Sequence, residues 1–138
     1  MTRSTKRATV AEQLRLGVFF YRRGSLDLAI EQFLAASKRS PHAPNIWLNL
    51  GAAYIDKNDL GNAKAALEHA LTLKPDYASA FFHLGQLYDK QADAENAFSC
   101  FNQVITLEPH GELARRAREQ LEGFRFGSAF RLHQELSK

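Results

Sequence analysis

Three features of the 138-residue sequence predict an all-α fold, a solenoid of three helical hairpins closed by a capping helix. Seven residue columns recur every 34 positions, apolar residues within each repeat fall at helical spacing, and each repeat ends at a proline. Leu16, Leu50 and Leu84 precede Gly17, Gly51 and Gly85, and Phe20, Tyr54 and Tyr88 follow three positions on. Ala29, Ala63 and Ala97 keep the interval, as do Phe33, Leu67 and Phe101, then Ala36, Ala70 and Val104, and Pro41, Pro75 and Pro109.

The spacing places first helices over 10–23, 44–57 and 78–91, and second helices over 26–39, 60–73 and 94–107. Trp47, Leu50, Gly51 and Tyr54 fall at i, i+3, i+4 and i+7 and so share one helix face, as Ala63, Leu67 and Ala70 do on the second helix. A mid-helix glycine costs about 1 kcal/mol of propensity, so close approach of the partner helix is expected there, with a small residue such as Ala63 facing it. Gly24 and Asn58 tolerate left-handed backbone between the helices, and the capping residues Ser25 and Asp59 follow them. The third repeat has Ala92 before Asp93, which predicts a less favourable or differently shaped turn. Each hairpin stops at its proline, which cannot donate to a continuing helix.

Residues 112–122 carry Ala114, Ala117 and Leu121 on one face and Arg115, Arg116, Arg118 and Glu119 on another. This is the pattern of a capping helix, apolar inward and charged outward. The tail 123–138, with Phe124, Phe126, Phe130, Leu132 and Leu136, is too apolar for an idle linker. A Gly-Ser break followed by FRLHQEL predicts a further short helix packed on the cap. Residues 1–9 read as a flexible basic terminus, without the apolar stretch of an export signal.

Composition narrows the function. Hydrophobic residues make up 45% and charged residues 24%, the balance of one folded domain. Apolar runs such as Gly17 to Tyr21 fall far short of the ~20 residues that cross a bilayer. The net charge of +3 comes from the ends, since residues 10–111 hold nine basic against eleven acidic side chains. A basic face for nucleic acid is therefore not expected in the body of the chain. The single cysteine, Cys100, suits a reducing compartment and forms no internal disulfide.

Catalytic, cofactor and metal sites are not expected. No two of His42, His69, His83, His110 and His133 lie three to five residues apart. Cys100 reads as a packed small side chain, and Gly51 and Gly85 fall mid-helix, where backbone amides are already bonded.

With WLNLGAAY and FFHLGQLY in register, the chain resembles the tetratricopeptide-repeat proteins, with motifs at 10–43, 44–77 and 78–111. The main departure is Gln13, which stands where Trp47 and Phe81 stand later. The resemblance implies a right-handed superhelix whose first helices line a concave groove. In this register the groove residues are Ala11, Leu14, Val18 and Tyr21, then Asn45, Leu48, Asn49, Ala52 and Ile55, and finally Ser79, Phe82, His83, Gln86 and Asp89. Relatives that bind acidic chaperone C-termini use a clamp of lysine, asparagine and arginine there. Asn49 matches its middle asparagine, but Leu14, Val18, Ser79 and His83 replace the other members, so the clamp is not expected.

The reading is a non-enzymatic, cytoplasmic adaptor or scaffold that binds a peptide or amphipathic helix of a partner protein in a mainly apolar groove. The alternative is self-association through the groove or the aromatic tail. RNA binding through Arg115, Arg116 and Arg118 and the basic N-terminus ranks below both.

Overall fold

The computed structural model describes residues 7–136. The described residues form seven helices and no strand: α1 (Val10–Arg22), α2 (Leu26–Arg39), α3 (Pro44–Asp56), α4 (Leu60–Leu73), α5 (Ala78–Lys90), α6 (Ala94–Leu107) and α7 (Glu112–Leu136). The first six begin where the sequence pattern places them and end within one residue of it. Local chemistry explains the starts. Thr9 and Glu12 form a reciprocal capping box at α1, and Pro44 opens α3 with its fixed φ. Asp59 and Asp93 accept from the backbone N–H of Asn62 and Asn96 at 3.4 and 3.2 Å. Residues 8 and 9 are thus tied to the fold, Ala8 O accepting from the Arg39 guanidinium, while the remainder of the basic terminus, 1–6, lies outside the described residues.

The chain divides into two compact units at Pro75, one built of α1 to α4 and the other of α5 to α7. In the first, Ala29, Ile30, Phe33, Leu50, Ala53 and Ala66 form a buried cluster that Leu14, Val18, Phe20, Tyr21, Trp47 and Tyr54 pack against. In the second, Phe82, Ala97, Phe101, Val104 and Ala117 do so, flanked by Phe81, Tyr88, Leu121 and Phe124 among others.

The repeated glycine is the closest point of each hairpin. A Cβ built on Gly17 would lie 2.5 Å from Phe33 Cε1, on Gly51 2.5 Å from Leu67 Cγ, and on Gly85 2.6 Å from Phe101 Cε1. The expected neighbour, a small residue such as Ala63, is therefore corrected: the large residue of the second helix fills the gap that the glycine leaves. Phe33, Leu67 and Phe101 are at most 1% exposed, so none has room to retreat.

The three inter-helix turns share one geometry. Gly24, Asn58 and Ala92 take φ of 78°, 64° and 58°. The next N–H, of Ser25, Asp59 or Asp93, reaches back to Phe20, Tyr54 or Tyr88 O at 2.9, 2.8 and 2.9 Å. The turn residue bonds three positions back, which completes a Schellman ending. The third turn thus keeps its shape, and Ala92 bears a Cβ in the left-handed region at a cost of about 1 kcal/mol or more.

At the C-terminal end, α7 is one continuous helix, not a cap ending at 122 followed by a separate element. It packs on α6 and touches α5, the relation that α3 has to α2 and α1 in the other unit. Ala114 and Ala117 are fully buried, and Phe124, first of the apolar tail residues, stacks on Phe101 at 6.3 Å. The side chains beyond Phe124, expected to dock on the cap, lie outside the described residues.

Two stability predictions follow from these contacts. Gly51→Ala gains about 1 kcal/mol of helix propensity but overpacks Leu67, for a net loss of about 1–2 kcal/mol. Gly61→Ala, with open space around it, loses nothing and serves as the control in denaturant melts. Ala92→Gly relieves the strained φ and raises stability by about 0.5–1 kcal/mol, read as a higher denaturation midpoint with an unchanged slope.

Candidate functional site

In the α1–α4 unit, the residues of the groove register separate by depth. Leu14, Val18, Tyr21, Leu48 and Asn49 are half-buried and Asn45 is exposed. Ala52 and Ile55 are only 9% and 3% exposed. These two belong to the interior, which corrects their assignment to an open binding surface. Helical register gives the direction a side chain takes from its axis but not the depth at which neighbours cover it.

The accessible part is a crevice of about 610 Å³ lined by Leu14, Val18 and Asn49, together with Arg15, Phe19, Arg22 and Arg23. Leu14 and Val18 rest on the buried cluster below, which fixes their positions. Asn49 reaches the crevice from α3. Phe19 is 48% exposed, and the Arg23 guanidinium lies 4.7 Å from its ring centroid. The sequence reading missed these four residues at the rim: Arg15 although it shares the column of Asn49 and His83, and Phe19, Arg22 and Arg23 because they stand outside the groove register. A usable signal was present: residues 10–25 hold three arginines against one acidic residue, Glu12, inside a stretch whose overall balance is negative.

Tyr21 is half-buried and stands outside the lining of the crevice. Its phenol donates to the Asp56 carboxylate, tying α1 to α3, and burial followed by that bond pushes the phenol up to about 12. Beside it, Lys57 pairs with Asp27 at 2.5 Å and joins α3 to α2. At the opposite edge Gln13 accepts from Arg39 at 3.3 Å, a polar contact in the column where Trp47 instead donates to Pro41 O at 2.9 Å and meets the His69 ring edge-on.

In the α5–α7 unit the register residues are differently placed. Phe82 is 1% exposed, its ring packed on Phe101 and covered by the Arg116 guanidinium at 4.6 Å. It is therefore a core residue, a second correction, because α7 occupies the place of a following first helix and lays its arginine over the ring. His83 and Gln86 pair at 3.1 Å, and Asp89 is exposed. The arginines considered for RNA are all engaged within the unit. Arg115 is tied to Glu112 and Glu119, Arg116 covers Phe82, and Arg118 donates to Pro109 O at 2.7 Å. The Arg115 contact holds the Glu112 carboxyl below the usual range. Cys100 is pushed up to about 11 by burial and then by Asp93, so its thiol stays protonated at neutral pH. Among the described residues no three His, Cys, Asp or Glu side chains gather as metal ligands would, and no helix is long and apolar enough to cross a membrane.

Paired helices in glycine-set contact, carrying a side-chain-lined crevice on a first helix, define a helical-repeat protein. The chain belongs to the tetratricopeptide repeat family: tetratricopeptide repeats match residues 44–77 and 78–110, and a TPR repeat matches 17–57. Its fold is the all-α TPR solenoid. Over 68 residues it is 38% identical to a peroxisomal targeting signal receptor of Candida glabrata, a match covering 49% of this chain and 12% of that protein. The chain thus corresponds to a small part of that relative. In fold it resembles the type III secretion translocator chaperone SycD of Yersinia enterocolitica, with TM-score 0.83, 18% identity and coverage of 91% and 98% of the two chains. It also resembles the first TPR of Spaghetti (RPAP3) bound to the HSP90 peptide SRMEEVD, with TM-score 0.78, 21% identity and coverage of 87% and 93%.

The Tyr21 contact makes a pH prediction. A phenol held at about 12 when folded, against 10.0 ordinarily, keeps its proton longer in the folded state. The stability it contributes is complete below pH 10 and is lost as pH rises toward 12. Tyr21→Phe should cost about 1 kcal/mol at neutral pH and lose less stability than native protein across that alkaline window, measured by urea denaturation.

Proposed function

We propose that the chain is a non-enzymatic interaction module, an adaptor or scaffold that binds a peptide or amphipathic helix of a partner protein along the groove side of its first helices. One observation carries this reading: Leu14 and Val18 of α1 and Asn49 of α3 converge on an open, mostly apolar crevice of about 610 Å³. Its floor is held by the buried cluster, so a ligand meets a preformed surface and little ordering entropy opposes binding. Covering a few hundred Å² of such surface at ~25 cal/mol per Å² gives several kcal/mol before the cost of association, consistent with micromolar affinity.

The family supports the reading, as does the likeness to a TPR solved with a bound peptide. The engaged arginines of α7 count against an RNA-binding role for that cluster. A lone, protonated Cys100 fits a reducing compartment, which we take to be the cytoplasm.

Selection of a random peptide display library on the immobilised protein tests the proposal. Selected peptides should bind native protein and lose binding to Val18→Asp, with circular dichroism showing that the variant remains helical. If no peptide is enriched, or if every selected peptide binds Val18→Asp as well as native protein, the crevice is not the site.

A further inference from the structure

We propose that the α1 end of the crevice selects an acidic amphipathic helix, in which leucine or aromatic side chains seat between Val18 and Phe19 and flanking Asp or Glu side chains meet Arg15 and Arg22. This rests on the groove reading above and specifies the chemistry of its ligand.

Repeat register supplies the shape. Leu50 and Ala53 on α3 stand 34 residues after Leu16 and Phe19 on α1. They are 1% and 0% exposed, members of the buried cluster that includes Ile30 and Phe33 of α2. Those columns form the face on which a first helix receives the second helix of the hairpin before it. On α1, Leu16 and Phe19 are 41% and 48% exposed. The same face is thus present on α1, with large apolar side chains, and a helix is the element that its register fits.

Charge identifies which helix. Arg15 and Arg22, at i and i+7, run between the Leu14–Val18 floor and the Phe19 ring, and Arg23 lies over that ring. None of the three arginines forms an ion pair among the described residues, in contrast to Arg115, which is held by two glutamates. Guanidinium groups offer paired donors matched to carboxylates, so acidic residues flanking an apolar ridge satisfy rim and floor together. Arg15 stands in the column of Asn49 and His83, whereas Arg22 and Arg23 stand outside the columns of the chaperone-binding clamp. A second copy presenting its own α7 would bring three arginines and three glutamates over residues 112–122, a balanced helix without the acidic excess that pairs with Arg15, Arg22 and Arg23. A nucleic-acid strand would satisfy the arginines but leave Leu14 and Val18 against a polar backbone.

The peptide selection tests this through what it enriches. Selected sequences should carry excess Asp and Glu beside Leu, Phe or Trp, and a synthetic copy should weaken about tenfold against Arg15→Glu/Arg22→Glu protein. Replacing the acidic residues of the peptide by Asn and Gln should weaken it similarly, and replacing them by Lys should restore binding to the charge-reversed protein. Phe19→Ser, at an exposed position, should also weaken binding while leaving the fold intact. Selected peptides without acidic excess, or insensitive to the arginine reversal yet lost with Val18→Asp, would overturn this inference and leave the groove reading standing. Concentration-dependent dimers dissociated by Phe19→Ser, or a salt-sensitive complex with single-stranded RNA lost on the arginine reversal, would overturn it in favour of those occupants.

Discussion

The contact between a missing side chain and a large one governs this molecule. At Gly17, Gly51 and Gly85 the first helix has no Cβ, and Phe33, Leu67 and Phe101 occupy the space where it would stand. The helix axes can then approach closely enough for buried aromatic and aliphatic groups to close the hairpin without voids. The rotational setting of each first helix follows from this, because the glycine must point at its partner. Once Gly17 faces Phe33, Leu14 and Val18 are turned toward the groove, and Arg15, Phe19 and Arg22 toward its outer rim. The crevice is thus a consequence of the packing contact on another side of the same helix.

Much of the fold was legible because each local signal agreed with the next. Prolines, capping aspartates and left-handed turn residues all recur at one period, and the six repeat helices fall where those signals place them. Two features resisted. Ala92 shows that the hairpin contact outweighs turn chemistry: Asp93 and the Tyr88 carbonyl close the same turn although alanine is a poor residue for it. Gly127 and Ser128 read as a break, yet the backbone continues as helix through Leu136, because helical context at both sides outweighs the propensity cost of two residues.

The site was less legible than the fold for a different reason. Register arithmetic treats every first helix alike, but helices differ in what lies over them. Phe82 and Leu14 share a column, yet Arg116 of α7 covers Phe82 while Leu14 borders an open crevice. The arginines escaped notice for the opposite reason. Charged residues on a repeat helix are usually solvated, so even Arg15, in the column of Asn49 and His83, was passed over, and the structure shows that Arg15, Arg22 and Arg23 gather around one apolar recess.

The two kinds of side chain in that recess contribute differently to recognition. Apolar area sets whether anything binds, since a few hundred Å² covered at ~25 cal/mol per Å² amounts to several kcal/mol. The exposed arginines add less, about 0.2–1 kcal/mol for each solvated pair, and salt screens part of that. Their larger effect is on choice, because an incoming lysine or arginine meets repulsion where a glutamate meets attraction. An apolar crevice alone would accept most amphipathic helices that reach it. In the proposed reading, three cations at its rim favour those whose charge is opposite. Rigidity would make that preference effective: Leu14 and Val18 are seated on the buried cluster, which holds the floor in place relative to the rim.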